Sequence, residues 1–331
     1  MTARADLALR ISELVGGDVL RITDPGSGWP AFGTLLLDSG PLPVSLFAGP
    51  VGLTHRNRDD VERRFQNPGQ ARPITTTPDR YPLLLGLYTE DDYLAVPRPL
   101  LVQADPYRRV GNITRYSIFV SVAALTEALA TGWSESTNTT GEAIRCLAPP
   151  LLPVSVSAVR DDVVPADNSM QTVISGSGLL ESPVYEEPAA ERARRAGTAL
   201  VRDARFARRV TVAYSGLCAM CGIGPNLVQA AHIYPASAPG SHDEPWNGLA
   251  LCPNHHLAFD RYLLAVHPDT RQVIYSPEMN AQVQSSSAMA AFTAATYAQL
   301  AEPEEPAARP LSEMFTDRYQ HYRDYYRWLS V

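Results

Sequence analysis

The chain contains no lysine: all 28 of its basic residues are arginine. A GC-rich genome is the simplest cause, and the chemical consequence is that a catalytic core setting a lysine beside its acids is excluded. Cysteine is also scarce, at four residues in 331. No apolar run reaches the roughly 18 residues needed to cross a bilayer. The first thirty residues hold no charged, then apolar, then small-residue leader. These absences lead us to expect a cytoplasmic chain with no membrane partner, in which a CxxC pair is a metal site or a redox pair rather than part of a disulfide framework. The formal charge of -7 excludes a protein that coats nucleic acid non-specifically, so phosphate contact has to come from local patches. Arginine brings to such patches a planar fork that meets phosphate in a bidentate way.

What is present suffices for two domains, since 45% of the residues are hydrophobic and each domain can bury a core. Ala5 to Val15 has helical periodicity and stops at Gly16 and Gly17. Strand-length apolar runs follow at Gly33 to Leu37, Pro43 to Phe47, Tyr81 to Tyr88, Tyr93 to Val96, Leu100 to Gln103 and Tyr116 to Val120. Between them, the charged stretch Arg56 to Phe65 reads as the start of a surface helix. Ala123 to Ala130 predicts a helix ended by Gly132. The class is α+β: residues 1–154 read as one mixed, strand-rich domain, and 155–188, rich in Asp, Ser, Gly and Pro, as a linker. Residues 189–331 form a second domain. It opens on an arginine-rich helix, Ala189 to Val210, closes with a helix from Leu311 to Leu329, and has a hairpin expected around HPDTRQ.

One stretch specifies a chemistry. Cys218 and Cys221 form a CxxC knuckle, and Cys252-Pro-Asn-His255 repeats the spacing about thirty residues on. Together they supply three thiolates and an imidazole, a closed tetrahedral set for a structural zinc ion. A redox dithiol would not need the second pair. Left over are His232 at the end of an apolar run, Asn247 directly ahead of the strand-like GLALC, and His256 on an expected helix. Asp260 follows at i, i+4 from His256, on the same helix face.

In order and spacing these residues resemble the HNH nucleases of the ββα-metal superfamily, in particular the bacterial restriction-type variety with zinc knuckles. The resemblance spans Val210 to about Ile274 and says little of the rest. It implies that His232 is the general base activating water against a phosphodiester, that Asn247 holds the catalytic loop, and that His256 binds a catalytic divalent ion. An imidazole titrating near working pH can take that proton, and the ion would be Mg²⁺ or Mn²⁺. Many members of the family carry an acidic metal ligand just before the first His, where this chain has Ala231. The ion is then expected on His256 and Asp260, with Asn247 as a further ligand.

The resemblance implies a metal-dependent endonuclease of the restriction kind acting on double-stranded DNA, as a homodimer or by two successive nicks. Residues 1–154 would choose the target, and the domain order suggests that modified DNA is read. Arg56, Arg58, Arg64, Arg108, Arg109, Arg195, Arg202, Arg205 and Arg209 are the expected DNA contacts, set against interleaved acids that could pair them instead. Two other readings stand beside this one: a non-catalytic, zinc-stapled DNA-binding protein, which Ala231 favours, and a nuclease toxin, which the large leading domain disfavours.

Overall fold

A computed structural model describes residues 4–54, 58–69, 72–89, 98–163 and 167–330. It divides into two compact units, Met1–Val201 and Arg202–Val331. Among the described residues no helix is long and apolar enough to cross a membrane.

In chain order the first unit runs α1 (Arg4–Val15), β1 (Leu20–Asp24), β2 (Ala31–Leu37), β3 (Gly40–Pro50), β4 (Gly52–Leu53), β5 (Glu62–Gln66), β6 (Tyr81–Tyr88) and β7 (Leu100–Ala104). It continues with β8 (Ser117–Ser121), α2 (Val122–Thr131), β9 (Trp133–Thr137), β10 (Ala143–Leu147), α3 (Leu152–Arg160) and α4 (Asp167–Ser177). Seven strands form one sheet in the order β1-β2-β3-β6-β7-β10-β9, and β4-β5-β8 form another. All the pairs in the large sheet are antiparallel except β3 with β6. Strand β6 (YPLLLGLY) is buried almost throughout, as a central strand covered on both faces must be. Alternation then splits the sheet into two faces. Leu84, Tyr88, Val102, Ala104, Ile144 and Cys146 join Phe65, Ile118, Val120 and α2 in one core. Positions of the other parity, among them Gln103 and Arg145, face the opposite way.

Two sequence expectations for this unit are corrected. Residues 155–188 are not a linker: α3 continues to Arg160 with Ser155, Val156 and Ala158 buried, and α4 buries Met170 and Ile174. The SGSG composition that suggested a linker marks the end of α4, where Gly178 takes a φ of +72°. Arg56 to Phe65 does not begin a helix. Its described part is a turn and then β5, in which Arg63 and Phe65 point inward, a period of two that the interleaved charges concealed. The expected strand Tyr93 to Val96 lies outside the described residues.

The unit boundary falls inside α5 (Glu187–Ala213), after Val201. The second unit continues with β11 (Gln229–His232), β12 (Gly248–Leu251), α6 (Pro253–Asp260), β13 (Leu264–Val266), β14 (Val273–Tyr275), α7 (Pro277–Ser285), α8 (Ser287–Ala295) and α9 (Ser312–His321). Strands β11 and β12 pair antiparallel and α6 follows, a ββα unit; β13 and β14 are the hairpin expected around HPDTRQ. Its core joins Phe206 and Val210 of α5 to Ala231, Leu249, Leu251, Phe259 and Phe315. Gly248 allows this packing, because a Cβ there would stand 2.4 Å from Val210 Cγ2. The last helix stops at His321 rather than Leu329. Tyr322 and Tyr326 instead fold back beside buried Arg318, whose guanidinium lies 3.8 Å from the centre of the Phe259 ring.

Candidate active site

His232 ends β11 and pairs with Gly248, the first residue of β12. Between them runs a long loop, and Asn247 closes it. Asn247 is fully buried: its Oδ1 accepts from the Tyr234 amide at 2.8 Å, and its Nδ2 donates to the carbonyls of Tyr234 at 3.0 Å and His242 at 2.9 Å. Both donors of this amide and one lone pair of its oxygen therefore serve the loop. The expectation that Asn247 is a further ion ligand is not met, because the side chain is 0% exposed and turned into the loop rather than toward His256.

The closed loop brings Asp243 to His232, with Oδ1 3.0 Å from Nε2. The other Asp243 oxygen meets Arg202 Nε at 3.0 Å, and Arg209 makes a two-pronged contact with Glu244 at 3.1 and 2.5 Å. Phe206 lies flat on the His232 ring, with centroids 3.7 Å apart and planes 11° from parallel. Residues 202, 206 and 209 share one face of α5 by helical spacing, so one helix fixes both the ring and the acid that holds it. Asp243, Glu244 and Phe206 were missed in the sequence. The only signal was a pair of acids in HDEPW just ahead of Asn247, and nothing local says which acid reaches a histidine across the loop.

Ala231 is 2% exposed and faces the core opposite Leu249. In an alternating strand, the residue before an outward histidine points inward, and here that position is apolar packing.

On α6 the adjacent histidines diverge. His255 points inward and is 1% exposed. His256 has Nδ1 3.0 Å from Gln229 Oε1 and Nε2 3.3 Å from Asp260 Oδ2. With its Nδ1 proton donated to Gln229, the Nε2 lone pair and the Asp260 carboxylate are left side by side. Their separation suits two neighbouring corners of an octahedral ion, whose cis ligands at about 2.1 Å lie about 3 Å apart.

Cys218, Cys221, Cys252 and His255 place their ligand atoms within 4.8 Å of one another, and among the described residues this is the group of three or more such atoms. Individual separations are 3.7 Å from Cys218 Sγ to His255 Nδ1, 3.2 Å from Cys252 Sγ to the same nitrogen, and 4.0 Å between the sulfurs of Cys221 and Cys252. A tetrahedral zinc needs S···S near 3.8 Å and S···N near 3.5 Å, taking its usual bond lengths of about 2.3 and 2.0 Å, so the donors fit. His255 Nε2 meets Thr296 Oγ1 at 2.9 Å, and that hydroxyl donates to Phe292 O, a chain that leaves the Nδ1 lone pair for a metal. Burial raises the Cys218 thiol, but hydrogen bonds from His255 and from the Cys252 and Met220 amides outweigh it and hold it down at about 6. Burial and the neighbouring Cys218 and Cys252 charges push Cys221 up to about 12. Three thiolates at such range need a cation between them.

The arginines expected on DNA are mostly paired. Arg109 forms a two-pronged contact at 2.5 and 2.6 Å with Glu142, which is 1% exposed, so that guanidinium is an internal counter-ion and not a DNA contact. Arg108 donates to the carbonyls of Thr140 and Gly141, Arg58 lies 3.6 Å from Glu62, and Arg195 pairs with Glu191. Arg202 and Arg209 hold the acids of the loop. Arg64 lies half-buried on β5 and Arg205 half-buried on α5, while Arg56 lies outside the described residues.

Two family profiles match the chain: an HNH endonuclease family at residues 218–267 and a methylase-associated X1 family at residues 49–153. No curated protein matches. Among solved structures, a modification-dependent TagI restriction endonuclease is similar over 85% of this chain and 81% of its own, at 15% identity and a TM-score of 0.30, too low an overlap to equate the folds. The ββα unit, its closed loop and the match at 218–267 agree: the chain carries an HNH endonuclease domain and is a nuclease, a phosphodiester hydrolase.

Proposed function

We propose that the chain is a metal-dependent DNA endonuclease of the restriction kind, with the ββα unit cutting and the first unit selecting the target. The observation that carries the reading is the placement of His232. Its Nε2 proton is directed onto Asp243, which leaves the Nδ1 lone pair, without a partner among the described residues, to take a proton from water. Phe206 stacked on that ring, and Asp243 on the loop that Asn247 closes, keep it from turning. Asp243 is a positioning residue, and its charge also favours the imidazolium that forms as the proton arrives. His256 and Asp260 would hold Mg²⁺ or Mn²⁺, which when bound neutralises charge on the phosphate and on the departing oxygen. Cys218, Cys221, Cys252 and His255 would hold zinc and staple α6 to the chain ahead of β11.

Two features support a restriction role. A methylase-associated family profile precedes the nuclease domain in the same chain, as suits an enzyme whose target is marked or protected by methylation. Pairing of Arg202 and Arg209 with loop acids also means that phosphate contact would exchange one anionic partner for another, which favours selective over general binding. His232→Ala tests the reading: cleavage of plasmid DNA in Mg²⁺ or Mn²⁺ should vanish while DNA binding and zinc content persist. Cleavage that survives the substitution refutes it. Incubation with DNAs of different methylation status then decides whether modification directs the cut.

A further inference from the structure

The first unit carries a row of polar side chains that the reading above does not use. Gln103 of β7 pairs across the sheet with Arg145 of β10, and Arg145 with Glu135 of β9, so the three lie side by side on the face opposite the core. Arg145 and Glu135 form an ion pair at 2.6 Å. Polar groups on a sheet face are costly unless something polar meets them. Helix α3 meets them in part: Ser155 donates its hydroxyl to Gln103 Oε1. Near its C-terminal end, at Val159, the face opens into a cavity of about 290 Å³ lined by Tyr81, Gln103, Asp105, Tyr107, Arg108 and Arg145 among others.

Gln103 is 5% exposed, and with Oε1 held by Ser155 its Nε2 has no partner among the described residues. An amide donor that opens onto a cavity from an otherwise buried side chain is placed to meet an acceptor inside it. At the mouth Tyr81 and Tyr107 meet edge to face, 6.5 Å between centroids, with Tyr107 57% exposed. Beyond these two rings lies a second hollow that they share, lined by Thr76, Thr77, Arg80 and Arg160. Size, ring and charge together describe a ligand. The cavity is at the small end of binding pockets, about 300 to 1,000 Å³, so it takes one ring system. The tyrosines offer that ring a face, Gln103 asks for a carbonyl or ring nitrogen on its edge, and the arginines beyond the rings suit an attached phosphate.

We propose that this cavity receives one base of the DNA, turned out of the stack, with Gln103 Nε2 donating to its edge, Tyr81 and Tyr107 against its ring, and Arg80 and Arg160 beside its backbone. The proposal rests on the reading that DNA is the substrate. Turning a base out is easiest where it is already unpaired, which gives the test. Using the full chain without added divalent ion, affinity is measured by fluorescence anisotropy for short duplexes that are fully paired or carry one mismatch. Hydrolysis of bis(p-nitrophenyl) phosphate in Mn²⁺ is followed alongside, because it needs the cutting site and no base. Wild type should prefer the mismatched duplex. Tyr107→Ala, at an exposed ring outside the core, and Gln103→Leu should each reduce that preference by about tenfold, the scale of one lost base-stacking partner, with small-ester hydrolysis unchanged. A wild type without the preference, or a preference intact in both variants, overturns the pocket. Ester hydrolysis that survives His232→Ala would instead overturn the cutting-site reading and leave the anisotropy result to judge the pocket separately.

Discussion

Arg318 is a buried cation with no carboxylate partner among the described residues, and its removal should be costly in a calculable way. It is 3% exposed, and it donates to Ile233 O at 3.1 Å, to Phe259 O at 2.8 Å and to Tyr326 Oη at 2.9 Å. The rings of Phe259, Tyr262, Tyr322 and Tyr326 surround it in place of an anion. Arg318→Met keeps much of the volume but takes the donor from the Ile233 carbonyl and the Tyr326 hydroxyl, at about 1–3 kcal/mol each, while the Phe259 carbonyl keeps the Tyr262 amide at 3.2 Å. Relief from burying the charge offsets part of that, so a net loss of about 3 kcal/mol is expected. For a unit of this size that is a fall of about 10 °C in its thermal midpoint, at about 3 °C per kcal/mol. Ile233 follows His232 and Phe259 precedes Asp260, so activity should fall as well, at temperatures where the fold persists. Arg318→Lys should restore less than half the stability, because a single ammonium cannot reach both carbonyls in the fork geometry. Thermal unfolding followed by tyrosine fluorescence is the assay, and a midpoint within about 3 °C of wild type, equivalent to less than about 1 kcal/mol, would refute the reasoning.

Two further perturbations probe the active site. Asp243→Asn keeps the shape of the contact to His232 and removes its charge; the difference between a charge-assisted and a neutral hydrogen bond, about 1–2 kcal/mol, predicts a 5- to 30-fold lower kcat with KM unchanged. The lower end is expected because Asp243 keeps 21% of its side chain exposed, Asp243→Glu should recover part of the rate, and a KM effect alone would contradict the positioning role. Gly248→Ala puts a Cβ 2.4 Å from Val210 Cγ2 and 3.0 Å from Phe206 Cζ, which should cost about 1–3 kcal/mol by overpacking and slow cleavage by shifting Phe206 off His232. Adding Val210→Ala should restore both, as melting and nicking rates will show; no rescue would mean that the close packing is not the reason for the glycine.

The ligand set was legible in the sequence because its information is local. Two CxxC-type pairs and a histidine, asparagine and histidine in fixed order need no knowledge of the rest of the chain, and the structure gathers the four soft ligands into one cluster and leaves His256 beside Asp260 outside it. Strands β6, β7 and β8 and helices α1 and α2 were equally legible, since apolar periodicity and Gly132 mark them locally. What escaped depends on contacts across many residues. Asp243 reaches His232 only after Asn247 has closed the loop, and Arg109 looked available for DNA until the fold buried Glu142, distant in sequence, beside it. Composition misled at 155–188, where Ser and Gly end a helix that Met170 and Ile174 hold in place. Strands β9 and β10 were missed because Glu135 and Arg145 sit on them and Glu142 directly precedes β10, charged residues facing one another or a cavity rather than solvent.

The division of His255 and His256 between two sites is tested most directly by zinc content measured beside DNA cleavage in His255→Ala and His256→Ala, purified in parallel. The two-site arrangement predicts that His255→Ala loses zinc and its folded ββα unit. It predicts that His256→Ala keeps zinc at the wild-type ratio and a wild-type melting curve but no longer cuts. Loss of zinc from both variants, or full cleavage by His256→Ala, would contradict it.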